Sequence, residues 1–408
     1  MEIRPFRGYR YAGDAARDIS AVVAPPYDQI GAETQDRLYA MSPHNIVRVT
    51  YPKDAADKYR GARRVLDAWL AEGVWRRDER PAIYPYHQSY TVAGQPVTRM
   101  GFVVLGAVSD YARGEVLPHE RTHAGPKRDR MELLEATAAD IGLLFMLTPD
   151  PDGELRRATT PAGEPIAEAR DLKGELHRLW RVTDEATVER VRELVAMRQV
   201  IIADGHHRYE TAVAYAERHS DAAHKLMAFF ALEAPGLTIL PNHRLVHGVQ
   251  GFDFDDFVQM AGRWFDVSPL VDPLTVQLEN RTIGVVSGSE AALLRLRPGA
   301  HENIAWPEKT SAAWRGLAVS ILHEGLLRPL LDITDAKLDA KTHVEYTADR
   351  AEAIQLARDG KYQAAFLIDA TTAEELQAVV RGGELLPQKS THFYPKLLDG
   401  LVFHRVGE

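Results

Sequence analysis

The stretch "IIADGHHRYETAVAYAE", residues 201–217, combines an apolar run, an Asp-Gly corner and a helical pattern. The apolar run predicts a buried strand, and Gly205 permits a tight turn with a close approach of the backbone. We expect Asp204 to cap the following helix by accepting hydrogen bonds from its first amides. An apolar stripe at positions i, i+3, i+4 and i+7 is formed by Tyr209, Ala212, Val213 and Ala216. A strand, a tight turn and a helix facing a sheet predict an α/β fold.

The first turn of this helix carries His206, His207 and Arg208, although the helix dipole disfavours cations there. Free amides at a helix N-terminus attract anions, above all phosphate, and a bound anion would neutralise the cluster. Residues 204–208 therefore predict a phosphate site, and we expect His207→Ala and Arg208→Ala to weaken nucleotide binding without unfolding the chain. The ordinary alternative is a capped helix with solvated side chains.

A metal site at the same turn is the competing hypothesis. Adjacent helical residues do not face one another, so His206 and His207 are not expected to chelate one ion together. Asp204 could still contact a Mg²⁺ ion that is held mainly by phosphate oxygens.

A second candidate stretch is "EVLPHERTHAGPKRDRMELLEAT", residues 115–137. It places Glu120 among several cations, which are the ingredients of phosphoryl transfer: a base for a hydroxyl and positive charge for the moving group. The cations assigned to that group are Arg121, Lys127 and Arg130. His119 and Thr122 are candidate substrate contacts. The alternative is a surface loop with salt bridges, which are weak and common.

Two further stretches carry polar candidates. The stretch "LLPQKSTHFYPKLLDGLVFH", residues 385–404, contains the run Lys389, Ser390 and Thr391, which can hold an anion. The run lacks the glycine spacing of a Walker loop, so that motif is absent. Lys396, later in that stretch, is a candidate substrate contact. In "VAPPYDQI", residues 23–30, Tyr27 and Asp28 follow two prolines that stiffen a turn, and such preorganised groups suit a substrate site. The alternatives are a loop pinned by aromatic packing and a plain turn.

Composition excludes several classes of function. The net charge of −9 argues against general binding to nucleic acid or to anionic membranes. The absence of cysteine excludes disulfides, zinc-thiolate sites, iron–sulfur clusters and thiol catalysis. The charged N-terminal stretch has no signal-peptide core, and no apolar run reaches the length of a transmembrane helix. We therefore expect a cytoplasmic protein.

Local patterns predict the remaining elements. We expect short strands within residues 20–52, a helix over about 56–73 and a strand pair around the turn at 93–96. A helix is expected near 129–139, and residues 150–172 are expected to form an exposed connection or a small hairpin.

The chain of 408 residues is too long for one ordinary core. After residue 251, helical patterns alternate with short strands, and this change of character predicts a boundary near 235–250. We expect a first domain over 1–240 and a second, mixed α/β domain over 241–408, whose loop 387–396 reaches the site.

Taken together, these stretches resemble a large bacterial and archaeal family, domain of unknown function 1015. The blocks that carry the resemblance are "AVVAPPYDQI", "SPHNIVRV", "VLPHERTHAGPKRDR", "ADGHHRYETA", "LTILPNHR" and "LPQKSTHFYPKLLDGLV". They span nearly the whole chain. One departure is His392, where the family pattern has an aromatic residue.

The "DGHHR" block is similar to the phosphate-binding block of the ParB/sulfiredoxin superfamily, which includes chromosome-partitioning CTPases, sulfiredoxin and free-serine kinases. The resemblance implies a ParB/sulfiredoxin-like first domain. Its serine kinases transfer a phosphoryl group from a nucleotide to free L-serine with magnesium, using a carboxylate base. By the same resemblance, His206 is a catalytic residue and Glu120 the candidate base. The choice of Glu120, and of Arg121 as its catalytic partner, rests on the local chemistry of the 115–137 stretch. Phosphate contacts then fall on Asp204, Gly205, His206, His207 and Arg208, with Asp204 also near Mg²⁺.

The expected function is therefore a small-molecule phosphotransferase acting on free L-serine, or on phosphoserine in reverse, with Mg²⁺ and ATP or ADP. One alternative is a ParB-like nucleotide-binding regulatory or DNA-associated protein, which predicts a basic DNA-binding face and is disfavoured by the net acidity. Another is a metal-dependent phosphohydrolase. The phosphoryl donor, the direction of reaction and the oligomeric state, including a homodimer, stay open.

Overall fold

The computed structural model describes residues 1–53, 57–279 and 281–408. The strands, in chain order, are β1 (Ile3–Arg4), β2 (Tyr9–Tyr11), β3 (Trp75–Arg77), β4 (Tyr84–Val92), β5 (Gln95–Ala107), β6 (Val116–Leu117), β7 (Ala139–Asp140), β8 (Leu144–Thr148), β9 (Ala167–Arg170), β10 (Leu176–Leu179), β11 (Val200–Asp204), β12 (His224–Ala231), β13 (Thr238–Leu240), β14 (His243–Val246), β15 (Phe265–Pro269), β16 (Thr282–Ser287), β17 (Glu290–Leu296), β18 (Val344–Thr347), β19 (Ala364–Leu367), β20 (His392–Tyr394) and β21 (His404–Arg405).

The helices, in chain order, are α1 (Ile19–Val22), α2 (Ala32–Met41), α3 (Val47–Thr50), α4 (Lys58–Ala71), α5 (Ala124–Thr137), α6 (Glu154–Ala158), α7 (Glu185–Ala196), α8 (His206–Ala216), α9 (Phe254–Ala261), α10 (Ala312–Gly316), α11 (Ala318–Leu322), α12 (Arg328–Leu331), α13 (Asp335–Asp339), α14 (Arg350–Arg358) and α15 (Ala373–Arg381). Short 3₁₀ turns and one π-helical turn, His323–Leu327, complete the described elements. The fold class is mixed α/β, as the sequence predicts.

The chain divides into two compact units. The first unit comprises residues 1–238 and 395–408, and the second comprises residues 239–394. The sequence-based division into 1–240 and 241–408 differs from this in its last segment, because residues 395–408 return to the first unit. Their backbone pairs with that unit: Asp399 N donates to Ala24 O at 2.8 Å, and Tyr9 N donates to Phe403 O at 2.9 Å.

The first unit is built on a mixed sheet in the order β6-β11-β8-β12-β5-β4-β10-β9, with β1 also paired to β5. β12 runs parallel to β8 and antiparallel to β5, and β11 runs parallel to β6. The predicted strand pair around 93–96 is confirmed as β4 and β5, which form one antiparallel hairpin. β12 lies inside the sheet, and all its residues from Lys225 to Ala231 are buried, which includes its whole apolar run. A strand covered on both faces needs such a continuous apolar sequence.

α8 packs on this sheet through the stripe that the sequence predicts. Tyr209 belongs to the sheet's apolar core, and Val213 packs against that core. Gly205 precedes the helix with φ of 101°. A Cβ at this glycine would also lie 2.8 Å from Leu144 Cδ2, so both the backbone conformation and the space require glycine.

Residues 20–52 form helices instead of the expected strands: α1, α2 and α3 lie there. α3 has β-branched residues, but Val47, Val49 and Thr50 are all buried, and their packing outweighs their weak helix propensity. Asn45 lies just before this helix, and its Oδ1 accepts from Val47 N at 3.0 Å. An asparagine at the start of a helix was the sequence signal for that boundary.

Three other boundaries differ from expectation. α5 begins at Ala124, earlier than the expected 129, because a proline fits the first helical turn, where its missing N–H would have no intrahelical acceptor. Within residues 150–172, expected as an exposed connection or a small hairpin, α6 forms, and β9 forms an antiparallel hairpin with β10. The helix expected over 56–73 is α4, Lys58–Ala71, and position 56 lies outside the described residues.

The second unit holds an antiparallel sheet in the order β15-β17-β16-β19-β14-β18. α14 packs against this sheet, and Ala353, Ile354 and Ala357 join its core. This arrangement confirms the helices and short strands expected after residue 251.

Candidate functional site

The two histidines of α8 hold the segment His119–His123, which we call the 119–123 loop. His119 N donates to His206 Nε2 at 3.1 Å, and His123 N donates to His207 Nε2 at 2.9 Å. A ring nitrogen that accepts a hydrogen bond carries no proton, so these contacts need the Nδ1-protonated, uncharged form of each ring. Their uncharged form explains how two histidines are tolerated at the positive end of a helix dipole.

The same loop is held a second time by Glu210, one turn further along α8. Its Oε2 accepts from Thr122 Oγ1 at 2.7 Å and from Lys127 Nζ at 2.8 Å. His119 is buried, and its Nδ1 donates to Ile202 O at 2.6 Å. The loop that carries Glu120 is therefore fixed over the first turns of α8.

Arg208 is neutralised within the protein. Its Nη2 donates to Asp204 Oδ2 at 2.7 Å, and its Nη1 donates to Leu143 O at 2.6 Å. The other oxygen of Asp204 accepts from Lys396 Nζ at 2.8 Å. Asp204 thus joins a cation of α8 to a cation of the C-terminal segment. The expected capping role is corrected: Gly205 is the N-cap residue, and the carboxylate of Asp204 is drawn to the two cations instead.

Strands β4 and β5 position the segment that bears Lys396. Arg99 is fully buried, and its Nη2 donates to Pro395 O at 2.5 Å. Gln88 Nε2 donates to Lys396 O at 2.9 Å, and Leu398 N donates to Tyr86 Oη at 3.3 Å. These buried contacts fix the main chain on both sides of Lys396.

A second charged group surrounds Arg130 on α5. Arg130 Nη1 donates to Thr50 O at 2.9 Å, and its guanidinium also pairs with Asp129. Lys58 Nζ pairs with the same carboxylate at 2.5 Å, and these neighbours hold the pKa of Asp129 near 2 despite burial. The Arg130 guanidinium lies 4.1 Å from the centre of the Tyr27 ring, an attractive cation–π contact.

Between these groups lies a small cavity of about 60 Å³, which we call the Asp399 cavity. Its polar wall is formed by Tyr27, Thr50, Arg130, Asp140, Arg208, Thr211, Lys225 and Asp399. Asp399 is buried, and burial raises the pKa of its carboxyl to about 7, against the opposing effect of the nearby cations. Lys225 Nζ pairs with Asp140 and donates to Gly142 O at 2.8 Å.

A larger cleft of about 610 Å³ runs along α8 and α5. Tyr111 and Tyr209, whose rings stack at 5.4 Å between centroids, line it together with Met131 and Val213. Lys127 and Arg128 add positive charge to its wall, and Asp110, Glu210 and Glu217 add negative charge. We call it the α5–α8 cleft, and it has the size and the apolar lining of a small-molecule site.

The chain matches one known protein family. The profile described as "Protein of unknown function (DUF1015)" matches residues 3–320. The chain belongs to this family. The match includes the 119–123 loop and the 204–208 turn, whereas the block at 386–402 that also resembles the family lies beyond the matched residues.

Among curated proteins, no significant match to this DUF1015 protein was found. A conserved hypothetical protein from Pyrococcus furiosus has a similar structure, with 12% identity and a TM-score of 0.37 over 73% of this chain and 93% of that chain. A free serine kinase variant in complex with AMP shows 11% identity and a TM-score of 0.38 over 74% of this chain and 91% of its own. SbnI with a C-terminal truncation, from Staphylococcus aureus, shows 11% identity and a TM-score of 0.37 over 73% and 85%. Likeness at this level carries no argument about activity.

The first unit brings most of the candidate residues of this DUF1015 protein together. Those joined by contacts or by a shared wall are Tyr27, His119, Thr122, Lys127, Arg130, Asp204, His206, His207, Arg208 and Lys396. Glu120 and Arg121 follow His119 in the 119–123 loop, and Arg121 is exposed. Asp28 is exposed next to Tyr27.

The remaining three candidates, Lys389, Ser390 and Thr391, belong to the second unit. There Ser390 Oγ donates to Pro387 O at 2.5 Å, and Thr371 Oγ1 donates to Ser390 O at 3.2 Å. Their assignment to an anion stays a prediction.

Sequence reasoning missed Glu210, Lys225 and Asp399. Asp399 had a visible signal, because a lone acidic residue followed by glycine interrupts the apolar run "LLDGLVF". Glu210 lies one helical turn from His207, on the face that meets the loop, and this spacing was also readable. Lys225 had no sequence signal, because its partner Asp140 is distant in the sequence.

Across residues 1–53, 57–279 and 281–408, no cluster of three or more histidine or acidic side chains could hold a metal ion. Both oxygens of Asp204 face cations, so this carboxylate does not fit a direct Mg²⁺ ligand in the present arrangement. Within the same residues, no helix is long and apolar enough to cross a membrane.

We expect His207→Ala to release the 119–123 loop. The variant removes the acceptor of the His123 amide, whose hydrogen bond is worth about 1 kcal/mol, so exchange of the loop amides should accelerate about fivefold. Hydrogen-exchange mass spectrometry measures this directly. His219→Ala, just beyond α8, is the matched control, and equal exchange in both variants would contradict the role given to His207.

We expect the protein to lose stability on mild acidification. Burial lowers the pKa of His119 below its usual 6.5 and that of His87 and His404 to about 4. Below about pH 6.5 the unfolded chain therefore binds protons that the folded chain does not, and the free energy of unfolding decreases as the pH is lowered. Asp399, whose folded pKa is raised, acts with the opposite sign but is outnumbered. The melting temperature should be lower at about pH 5 than at about pH 7.5, and the reverse order would refute this account.

Proposed function

We propose that this DUF1015 protein is a nucleotide-dependent phosphotransferase that acts on free L-serine, or on phosphoserine in the reverse direction. The observation that carries the proposal is the Asp204–Lys396 ion pair beside the first turn of α8. It sets a cationic side chain next to helix amides that have no intrahelical acceptors, which is the chemistry that recognises phosphate.

The nucleotide would lie along α8. Its terminal phosphates would meet the Gly205 turn and replace Asp204 as the partner of Lys396, and its base would enter the α5–α8 cleft. The cleft extends from Lys127 near the first turns to Glu217 at the end of the helix. At about 1.5 Å per residue, the path from His206 to Val213 spans roughly 10 Å, which suits a nucleoside diphosphate. Its apolar and aromatic lining fits a base, with Lys127 as the cation on the side of the phosphates.

Glu120 would act as the base toward the substrate hydroxyl. The hydrogen bond from His119 N to His206 Nε2 places the residue before Glu120 directly against the first turn of α8. Arg121, exposed in the same loop, would stabilise charge on the moving phosphoryl group. Arg130 is buried against Asp129 and Thr50, and its position favours a substrate contact over the nucleotide contact expected from the sequence.

Mg²⁺ enters this proposal only through the phosphates. Magnesium usually keeps several waters and binds through substrate phosphates and one or two carboxylates. Because Asp204 is occupied by two cations, no step here depends on a metal held by the protein. Chelation of Mg²⁺ should therefore abolish turnover without changing the melting temperature of the nucleotide-free protein.

The experiment incubates the purified chain with L-serine or phosphoserine and a panel of ATP, ADP and other nucleotides, and follows products by phosphorus NMR. Transfer between nucleotide and serine supports the proposal. Nucleotide binding without transfer would favour the ParB-like regulatory alternative. Release of inorganic phosphate from phosphoserine without a nucleotide would favour the phosphohydrolase alternative.

A further inference from the structure

The Asp399 cavity contains a carboxylate oxygen that the rest of the described chain leaves without a hydrogen bond. Asp399 is 4% exposed, and its Oδ1 has no partner among the described residues. This oxygen lies 3.9 Å from the position that a Cβ on Gly142 would occupy, so it points at the part of the wall where glycine leaves space. A buried polar atom without a partner costs free energy and indicates a missing ligand or water.

The cations in the same wall are each held by another group. Arg208 donates to Asp204 and Leu143, Arg130 is paired with Asp129, and Lys225 is paired with Asp140. None of these contacts uses Asp399. Each guanidinium has five N–H donors, more than its partners take up, so donors remain for a second group. The wall therefore offers an acceptor for a cation and donors for an anion.

The size of the cavity limits what it can hold. A volume of about 60 Å³ corresponds to roughly four to six water-sized groups at about 10–15 Å³ each. The ammonium nitrogen, α-carbon and carboxylate of an amino acid make up five non-hydrogen atoms. A nucleotide does not fit, whereas such a head group does.

We propose that the Asp399 cavity binds the zwitterionic head group of a small α-amino acid. The ammonium donates to Asp399 Oδ1, and the carboxylate accepts from Arg208 and Arg130. This inference rests on the proposed function, because it assigns the amino-acid half of that site. Thr211 lines both this cavity and the α5–α8 cleft, so the acceptor substrate and the nucleotide would be separated by one side chain.

The test titrates the full chain calorimetrically with L-serine, with 3-hydroxypropionate, which lacks the ammonium, and with ethanolamine, which lacks the carboxylate. L-serine should bind, and each analogue should bind at least tenfold more weakly, since each loses a charged hydrogen bond. Asp399→Asn keeps the shape and removes the charge, so serine affinity should fall at least tenfold. ADP affinity, measured in parallel, should stay within about twofold.

A second variant keeps the inference testable if Asp399→Asn does not fold. Gly142→Ala adds a methyl group 3.3 Å from Arg208 Cδ and 3.9 Å from Asp399 Oδ1, which obstructs the cavity without changing any charge. Serine binding should be lost while the melting temperature stays close to that of the parent. Gly31→Ala, where a Cβ meets nothing within 4 Å, is the matched control.

The outcomes separate this inference from the proposed function. If nucleotides bind but serine does not, or if serine binds equally to the parent, Asp399→Asn and Gly142→Ala, the cavity is a water site and the inference is overturned. If serine binding depends on Asp399 and Gly142 but no nucleotide binds, the inference stands and the phosphotransferase proposal fails.

Discussion

Arg208→Met is expected to lower the free energy of unfolding by about 3–5 kcal/mol, the usual cost of removing one partner from a buried ion pair. Arg208 is 8% exposed, and its loss would leave Asp204 with Lys396 alone and Leu143 O without its donor. It would also remove the positive charge that most strongly opposes the effect of burial on the pKa of Asp399. The sequence alone predicts that truncation of Arg208 leaves the fold intact. Because Arg208 is buried and ion-paired, we expect its truncation to destabilise the fold instead.

Urea denaturation of the ligand-free protein measures this effect. Arg121→Met is the matched control, because Arg121 is exposed and surface substitutions usually change stability by no more than about 0.5 kcal/mol. The double variant Asp204→Asn/Arg208→Met should recover part of the loss, since both buried charges are then absent. Equal unfolding midpoints for Arg208→Met and Arg121→Met would show that the ion pair does not support the fold.

Glu120→Gln is expected to lower turnover by about 10²–10⁴-fold, the contribution typical of general acid–base catalysis. The amide keeps the shape of the side chain but cannot take the proton of the attacking hydroxyl. Nucleotide affinity should be preserved, because the proposed phosphate contacts lie on α8 and at Lys396. Single-turnover assays with saturating nucleotide separate the chemical step from binding.

Glu132→Gln, on the exposed side of α5, is the control for this experiment and should retain full turnover. If Glu120→Gln is equally active, the base lies elsewhere. Asp28 is then the next residue to test, because it lies close enough to Arg208 to raise the pKa of that guanidinium.

Local sequence patterns determined much of the first unit. The strand, glycine turn and helix of 201–217 form as expected, because a buried apolar run, a helical apolar stripe and a glycine with φ of 101° are requirements of the local backbone. The β4–β5 hairpin was equally readable. The helices within residues 20–52 could not be predicted in the same way. The burial of Val47 and Val49 stabilises a helix there, although these residues prefer strands.

The sequence by itself also singled out the residues on which the proposed chemistry rests: the His-His-Arg turn, the Glu120 stretch and Lys396 were all recognisable from residue type and spacing. Only the tertiary structure decided their electrostatic state. The histidines are uncharged and accept hydrogen bonds from the 119–123 loop. Asp204 pairs with two cations instead of capping the helix. Asp399 acts electrostatically on Arg208 across 191 positions of the chain, counted from 208 to 399. Pairings over such distances depend on the path of the backbone, and charge, burial and hydrogen bonding act through space, so no local pattern could reveal them.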